Sequence, residues 1–216
     1  RSEKDQIYYR IADLSFKQGD YSRSMTAYKQ VIKNTQIKSR MQLSNLKIVQ
    51  IYRLQNQYDL ASNSIKTMLT DEAYQSIYPA LELELAKLYQ IQNKPDDHTS
   101  RLKSILNDYP RTKESAEAAF LLGELTLLNH RDLDSALKFY AMVRSEFRSS
   151  LFIKSAQLRI KEINVYYSLL GDYNQYIEST SNSLRSESKK DQKSFNSVSK
   201  MLYELAELEF LHFYNF

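Results

Sequence analysis

Apolar and small residues near the start of the chain fall at helical spacing in two runs. Tyr8, Ile11 and Ala12 precede Gly19-Asp20, and Tyr21, Ser24, Tyr28 and Val31 follow it. Steps of three and four place each set on one helix face, so the pattern predicts two amphipathic helices joined by a tight turn. The layout then returns. Asn56-Gln57-Tyr58 and Asn93-Lys94-Pro95 succeed Gly19-Asp20-Tyr21 at intervals of 37 residues, and Gly171-Asp172-Tyr173 follows after a further 78, which leaves room for one more turn near 130–132. Self-similarity at such a period signals stacked units, each burying its apolar face against its neighbours.

The packing positions support this division. Ile11-Ala12 pairs with Ser24, Ile48-Val49 with Ala61, Leu85-Ala86 with His98, and Leu122-Gly123 with Ala136. Each set combines an aliphatic residue with small or medium ones, as a close helix crossing requires; the fifth set, Ile163-Asn164 with Tyr176, departs from it. Further along, Tyr28, Ile65, Leu102 and Tyr140 are in register, as are Val31, Met68, Ile105 and Val143. The predicted units cover roughly 4–37, 41–74, 78–110, 112–148 and 150–190 of a single domain, with a partial sixth at 195–216. Asp20 and Asp172 are expected to cap the second helix of their hairpins, and Pro95 suits a first turn, where a missing N–H costs little. Thr112 and Ser149 or Ser150 stand where caps for following helices belong. The polar stretch 181–194 reads as a frayed helix end and a loop. In 199–216 a further helix begins, and Phe210, Leu211, Phe213, Tyr214 and Phe216 are expected to stay partly exposed unless the chain continues or another copy covers them.

These residues resemble the tetratricopeptide repeats. The match runs through Tyr8, Ile11-Ala12, Gly19-Asp20-Tyr21, Ser24, Tyr28 and Val31, with Pro110 closing the third unit. The resemblance extends over 4–187 and is clearest in units one and four. It implies an all-α, right-handed α-solenoid of about five helical hairpins plus a terminal helix, acting as a non-catalytic scaffold for a protein or peptide partner. The family repeats at about 34 residues, so a period of 37 is a departure. Ala116-x-x-Ala119-Phe120-x-x-Gly123, followed by Ala136 and Tyr140, is similar to the long-period subgroup of bacterial envelope proteins, such as the lipoprotein of the outer-membrane assembly machinery and the Tol-Pal-associated repeat protein. A periplasmic or cell-envelope location is expected on that ground.

Composition narrows the chemistry. With 3 Gly and 3 Pro in 216 residues, a sheet protein needing frequent turns is disfavoured, and so are Gly-rich phosphate loops. The absence of Cys excludes disulfides, thiolate metal sites and cysteine nucleophiles. A net charge of +4, spread over 30 basic and 26 acidic side chains, does not concentrate into the stripe of a nucleic-acid protein. Together with the 17 Tyr it motivates one alternative, a helical-repeat RNA binder. No apolar run reaches the roughly 20 residues of a membrane span. Arg at position 1 and the lack of a signal-like segment after it predict an excised portion of a longer chain.

Candidate catalytic and metal-binding residues do not assemble into a site. His98, His130 and His212 fall in different units without partners at ligand spacing. Glu82 and Glu84 are two apart, on different sides of a helix, and Glu204 with Glu207 reads as an ordinary exposed face. No catalytic residue, metal or cofactor is predicted. Binding is expected instead on the groove face of each first helix, as the resemblance implies. Unit one supplies Tyr9, Asp13, Phe16 and Lys17; unit two Leu46, Gln50 and Arg53; unit three Leu83, Lys87 and Gln90. Unit four adds Phe120, Glu124 and Leu127, and unit five Lys161, Val165 and Ser168. This mixed surface suits a peptide or a helix laid into a groove and suits a polyanion poorly. The family's clamp for a C-terminal carboxylate places a Lys and an Asn four apart on the first helix. Tyr9 and Asp13 stand there in this chain, and Asp would repel the carboxylate. Self-association through the C-terminal helix is a further expectation.

Overall fold

A computed structural model describes residues 2–183 and 192–213, and among these only helices and turns occur. The chain divides into two compact units, Arg1–Glu114 and Ser115–Phe216. The first holds three hairpins: α1 (Ser2–Lys17) with α2 (Tyr21–Asn34), α3 (Lys38–Leu54) with α4 (Tyr58–Leu69), and α5 (Tyr78–Ile91) with α6 (Pro95–Asp108). A 3-10 segment, Glu72–Ile77, leads from α4 into α5. The second unit contains α7 (Lys113–Leu125, entering it after its first residues), a π-helical turn Thr126–His130, α8 (Leu133–Glu146), α9 (Ile153–Ser183), α10 (Gln192–Glu207) and a second π-helical turn, Leu208–His212.

Each hairpin turns on one left-handed residue. Gly19, Asn56, Asn93 and Arg131 have φ of 78°, 60°, 54° and 53°, a conformation that Gly adopts freely and Asn tolerates. In the first turn the Asp20 N–H donates to the Ser15 carbonyl at 2.9 Å, and Gln57 to Tyr52 and Lys94 to Tyr89 repeat that bond at 2.8 and 2.9 Å. This is the Schellman closure, which satisfies a carbonyl the helix end leaves open. The fourth turn is longer by one residue: Asp132 N–H reaches back to Thr126, across the π-helical turn. The turn falls at Arg131, inside the 130–132 interval the sequence left for it, and the extra residue explains why no Gly-Asp or Asn anchor marks it there.

The caps follow. Asp20 accepts from the Arg23 N–H and Asp132 from the Ser135 N–H, both at 3.0 Å, and Pro95 opens α6. The hydrogen bonds from Ser135 hold the Asp132 carboxyl below its usual range. Ser150 accepts from the Phe152 N–H just before α9, while the Thr112 hydroxyl donates back to the Tyr109 carbonyl.

Small residues set the close crossings. Ala12, Ala61, Ala86, Ala136, Tyr28, Ile65, Leu102 and Tyr140 are buried in the predicted register. Gly123 is needed for contact: a Cβ there would lie 2.6 Å from the Tyr140 ring. Ser24 and His98 occupy the same step of hairpins one and three. The Ser24 hydroxyl donates to the Ala12 carbonyl, and His98 Nδ1 donates to the Ala86 carbonyl, each at 2.8 Å. His98 therefore marks a tied crossing.

The fifth unit differs from expectation. Gly171 and Asp172 lie inside α9, which continues without a turn from Ile153 to Ser183, so Asp172 caps nothing. Its crossing pair, Asn164 and Tyr176, offers no small residue on either side. A hairpin closed at Gly171 would force those side chains together. The helix instead continues unbroken and packs against α8 and α10. Most of the predicted loop at 181–194 lies outside the described residues, which resume at α10. Phe210 and Leu211 are exposed as expected, but Phe213 is buried, edge-on to Tyr166 at 5.5 Å; Tyr214 and Phe216 lie outside the described residues.

Candidate functional site

In the first unit, α1, α3 and α5 contribute to one face. Asp13 pairs with Lys17 one turn on, at 2.9 Å. Tyr9 is half-buried with its ring edge-on to Tyr28 at 5.9 Å, and burial pushes its hydroxyl up. Phe16 packs edge-on against Tyr21 and carries the Lys47 ammonium 4.3 Å above its ring centroid, within range of a cation–π attraction. The contact ties α3 to α1.

The tie from α3 to α5 is ionic. Glu84 is buried, 4% exposed, and accepts from Gln50 Nε2 at 3.0 Å and Arg53 Nε at 2.8 Å, with Lys87 Nζ at 3.7 Å. An ionised carboxylate withdrawn from water needs such partners, because desolvation alone would cost several kcal/mol, on the order of 3 or more. Gln50, Arg53 and Lys87 thus converge on one acid. Gln90 is exposed beyond them.

The projected stripe was off by one residue on these helices. Leu46 and Leu83 are core, at 8% and 4% exposure, and Leu127 is buried in the second unit. Their successors Lys47 and Glu84 face the site instead, about 100° further round the helix. Sequence reading missed both. Their signal was the register itself, since 47 and 84 stand 37 apart and each precedes by three a predicted site residue, Gln50 and Lys87.

The second unit is built around Glu124. Its Oε1 accepts from the Tyr140 hydroxyl at 2.7 Å and from Arg159 Nε at 2.9 Å. Arg159 also bonds Glu162 and the His212 carbonyl, at 3.1 and 2.9 Å, and His212 Nδ1 lies 3.0 Å from Glu162. Burial opposes the Arg159 charge, but the two carboxylates outweigh it and raise its pKa. Phe120 stacks on Phe152 with centroids 5.0 Å apart. Lys161 is exposed. Tyr166 donates to Glu209 at 2.6 Å, a bond that with burial pushes its hydroxyl up to about 12. Arg159 is a further group the sequence did not flag, and His212 was weighed there only as a metal ligand; nothing in local spacing links residues 53 apart.

Among the described residues no group of three His, Asp or Glu side chains is placed to hold a metal ion, and no helix is long and apolar enough to cross a membrane. The arrangement offers charges and aromatic rings held in place by neighbouring side chains.

Residues 6–34 match the family model of the tetratricopeptide repeat. No curated protein sequence matches the chain. Among solved structures, a tetratricopeptide repeat protein from Parabacteroides merdae ATCC 43184 is similar with a TM-score of 0.51 at 11% identity, over 95% of this chain and 75% of that one. MamA protein aligns over 97% of this chain and 93% of its own at 17% identity, with a TM-score of 0.46. The repeat match lies in the first hairpin, and the likeness to the P. merdae structure supports a fold of stacked helical hairpins. Repeats of this family generally mediate protein–protein interaction.

Proposed function

We propose that the chain is a non-catalytic scaffold that captures a peptide segment or partner domain on the groove faces of its first helices. The observation that carries this reading is the α1–α3–α5 face. Tyr9, Phe16 and Lys17 are presented there beside Gln50, Arg53 and Lys87, and the last three are fixed by buried Glu84. Side chains held in place before binding lose little entropy on binding, which favours recognition. In the second unit, Phe120, Glu124 and Lys161 form the corresponding proposed surface. The long repeat period is the ground for proposing a bacterial cell-envelope assembly as the setting, and fractionation of cells expressing the full-length protein tests it.

The structure changes which variants test the groove. Reversing Arg53 would leave Glu84 facing a second carboxylate, so that variant reports on folding as much as on capture. Lys17→Glu combined with Gln90→Glu alters two exposed positions of the face. Affinity capture with the full-length protein should lose its partner with this pair and keep it with Lys66→Glu plus Lys103→Glu on the exposed sides of α4 and α6. Equal capture by both pairs would count against the groove.

A further inference from the structure

We propose that the α1–α3–α5 face selects an acidic segment, with a Glu or Asp side chain of the partner seated against Lys47. The proposal rests on the groove reading and gives its partner a chemistry. Around this face the carboxylates already have protein cations: Asp5 lies 2.7 Å from Arg40, Asp13 lies 2.9 Å from Lys17, and Glu84 lies 2.8 Å from Arg53. Lys47 is held differently. Its ammonium rests on the Phe16 ring, half-buried, and among the described residues no carboxylate is within ion-pair distance of it.

Charge and burial then point the same way. Asp13 and Lys17 cancel, Glu84 is already engaged by Arg53 and Lys87, and Lys47 adds a positive charge with no carboxylate beside it. Burial pushes the Lys47 ammonium down and is the largest influence on it; Asp13 and Glu84 oppose that from a distance, and Lys113 and Lys17 reinforce it. An ammonium withdrawn from water without an adjacent anion gains from an arriving carboxylate, whereas a basic segment would add repulsion. The seat also differs from an end-of-chain clamp on the first helix, where Asp13 stands. It takes a side-chain carboxylate within a segment, and Tyr9 and Phe16 beside it offer ring surface to an apolar neighbour.

Spacing gives the segment its form. Packed helices lie about 8–10 Å apart, and an extended chain advances about 3.3 Å per residue. A segment crossing the face therefore meets a new helix roughly every third residue, and about seven residues reach from α1 across α3 to α5, which a ten-residue peptide covers.

The test uses three fluorescein-labelled ten-residue peptides, acetylated and amidated, each with a Phe and a Leu three apart. One carries four Glu, one four Lys and one four Ser, and a ten-nucleotide oligouridylate is the fourth probe. Fluorescence anisotropy is read on the full chain. The Glu peptide should bind about tenfold tighter than the Ser peptide and tighter still than the Lys peptide. Lys47→Met keeps the apolar stem on Phe16 and should weaken the Glu peptide about tenfold, while Lys66→Met on α4 should leave it unchanged. Lys47→Glu should abolish it, with circular dichroism melting confirming the fold of each variant. Equal binding of the three peptides would overturn the acid preference and leave the groove reading standing. A Glu peptide indifferent to Lys47→Met, binding by none of the peptides, or oligouridylate binding as tight as the Glu peptide would each overturn the proposal.

Discussion

Gly19-Asp20-Tyr21 and Gly171-Asp172-Tyr173 are the same tripeptide, yet the chain turns at the first and runs on as helix through the second. Gly19 sits at φ 78° and ends α1; Gly171 is an exposed residue within the 31-residue α9. The local signal is identical, so the difference comes from what each turn would bring together. Past Gly19, Ser24, Ala27, Tyr28 and Val31 of α2 are all buried, and the Ser24 hydroxyl ties to Ala12. Past Gly171 no side chain from 172 to 180 is buried. A Gly-Asp turn permits a hairpin, and small residues at the crossing decide whether one forms.

The largest effect expected from this contrast lies in the helices after the two tripeptides. Tyr28 is fully buried, and Tyr28→Ala should cost about 3–5 kcal/mol, a transfer loss plus a cavity. Ile177 in the second half of α9 is 46% exposed, and Ile177→Ala should stay within about 0.5 kcal/mol. Urea denaturation followed by circular dichroism measures both. A cost at Ile177 close to that at Tyr28 would mean that α9 past Gly171 is packed like a hairpin helix.

The glycines themselves should respond with opposite signs. Gly19→Ala puts a Cβ on a left-handed residue, and although no atom lies within 4 Å of it, the backbone penalty is about 1–2 kcal/mol. Gly171 also has nothing within 4 Å of an added Cβ, but its backbone is helical, and Gly171→Ala should stabilise by about 1 kcal/mol. Thermal melts of the two variants suffice. If both lower the melting temperature, Gly171 is a turn in solution and the contrast fails.

Fold class, the hairpin register and the first three turns were legible because they depend on short-range periodicity. Tyr28, Ile65, Leu102 and Tyr140 announce one buried face by spacing alone. The continuous α9 was half-legible: Asn164 and Tyr176 broke the small-residue rule in plain view, but the Gly171-Asp172-Tyr173 match outweighed them. The fourth turn was located near 130–132 from the remaining period, but its extra π-helical residue was not legible. At the proposed site, projecting a regular stripe names Phe16, Gln50, Arg53 and Lys87. Lys47 and Glu84 fall one position outside that stripe, although their 37-residue separation repeats the register. How far α3 and α5 turn is set by burying Leu46 and Leu83, a tertiary outcome. The partners of Arg159 lie still further from local pattern, since its bond to the His212 carbonyl joins α9 to the end of the described chain.

The smallest expected effect separates the two aspartates that follow the glycines. Asp20 accepts from the Arg23 N–H at 3.0 Å and caps α2, so Asp20→Ala should cost about 1 kcal/mol. Asp172 is exposed inside α9, where the backbone N–H groups are already used by the helix and an Asp side chain competes for them. Asp172→Ala replaces a poor helix former with the best one and should stabilise by about 0.5 kcal/mol. The sign of the difference carries the result, because both substitutions remove the same charge from an exposed position and share any effect of net charge. Urea midpoints moving in opposite directions would establish that Asp172 lies within a helix. A loss at Asp172 equal to that at Asp20 would make it a cap, which requires a helix to begin there and α9 to break where the tripeptide first suggested.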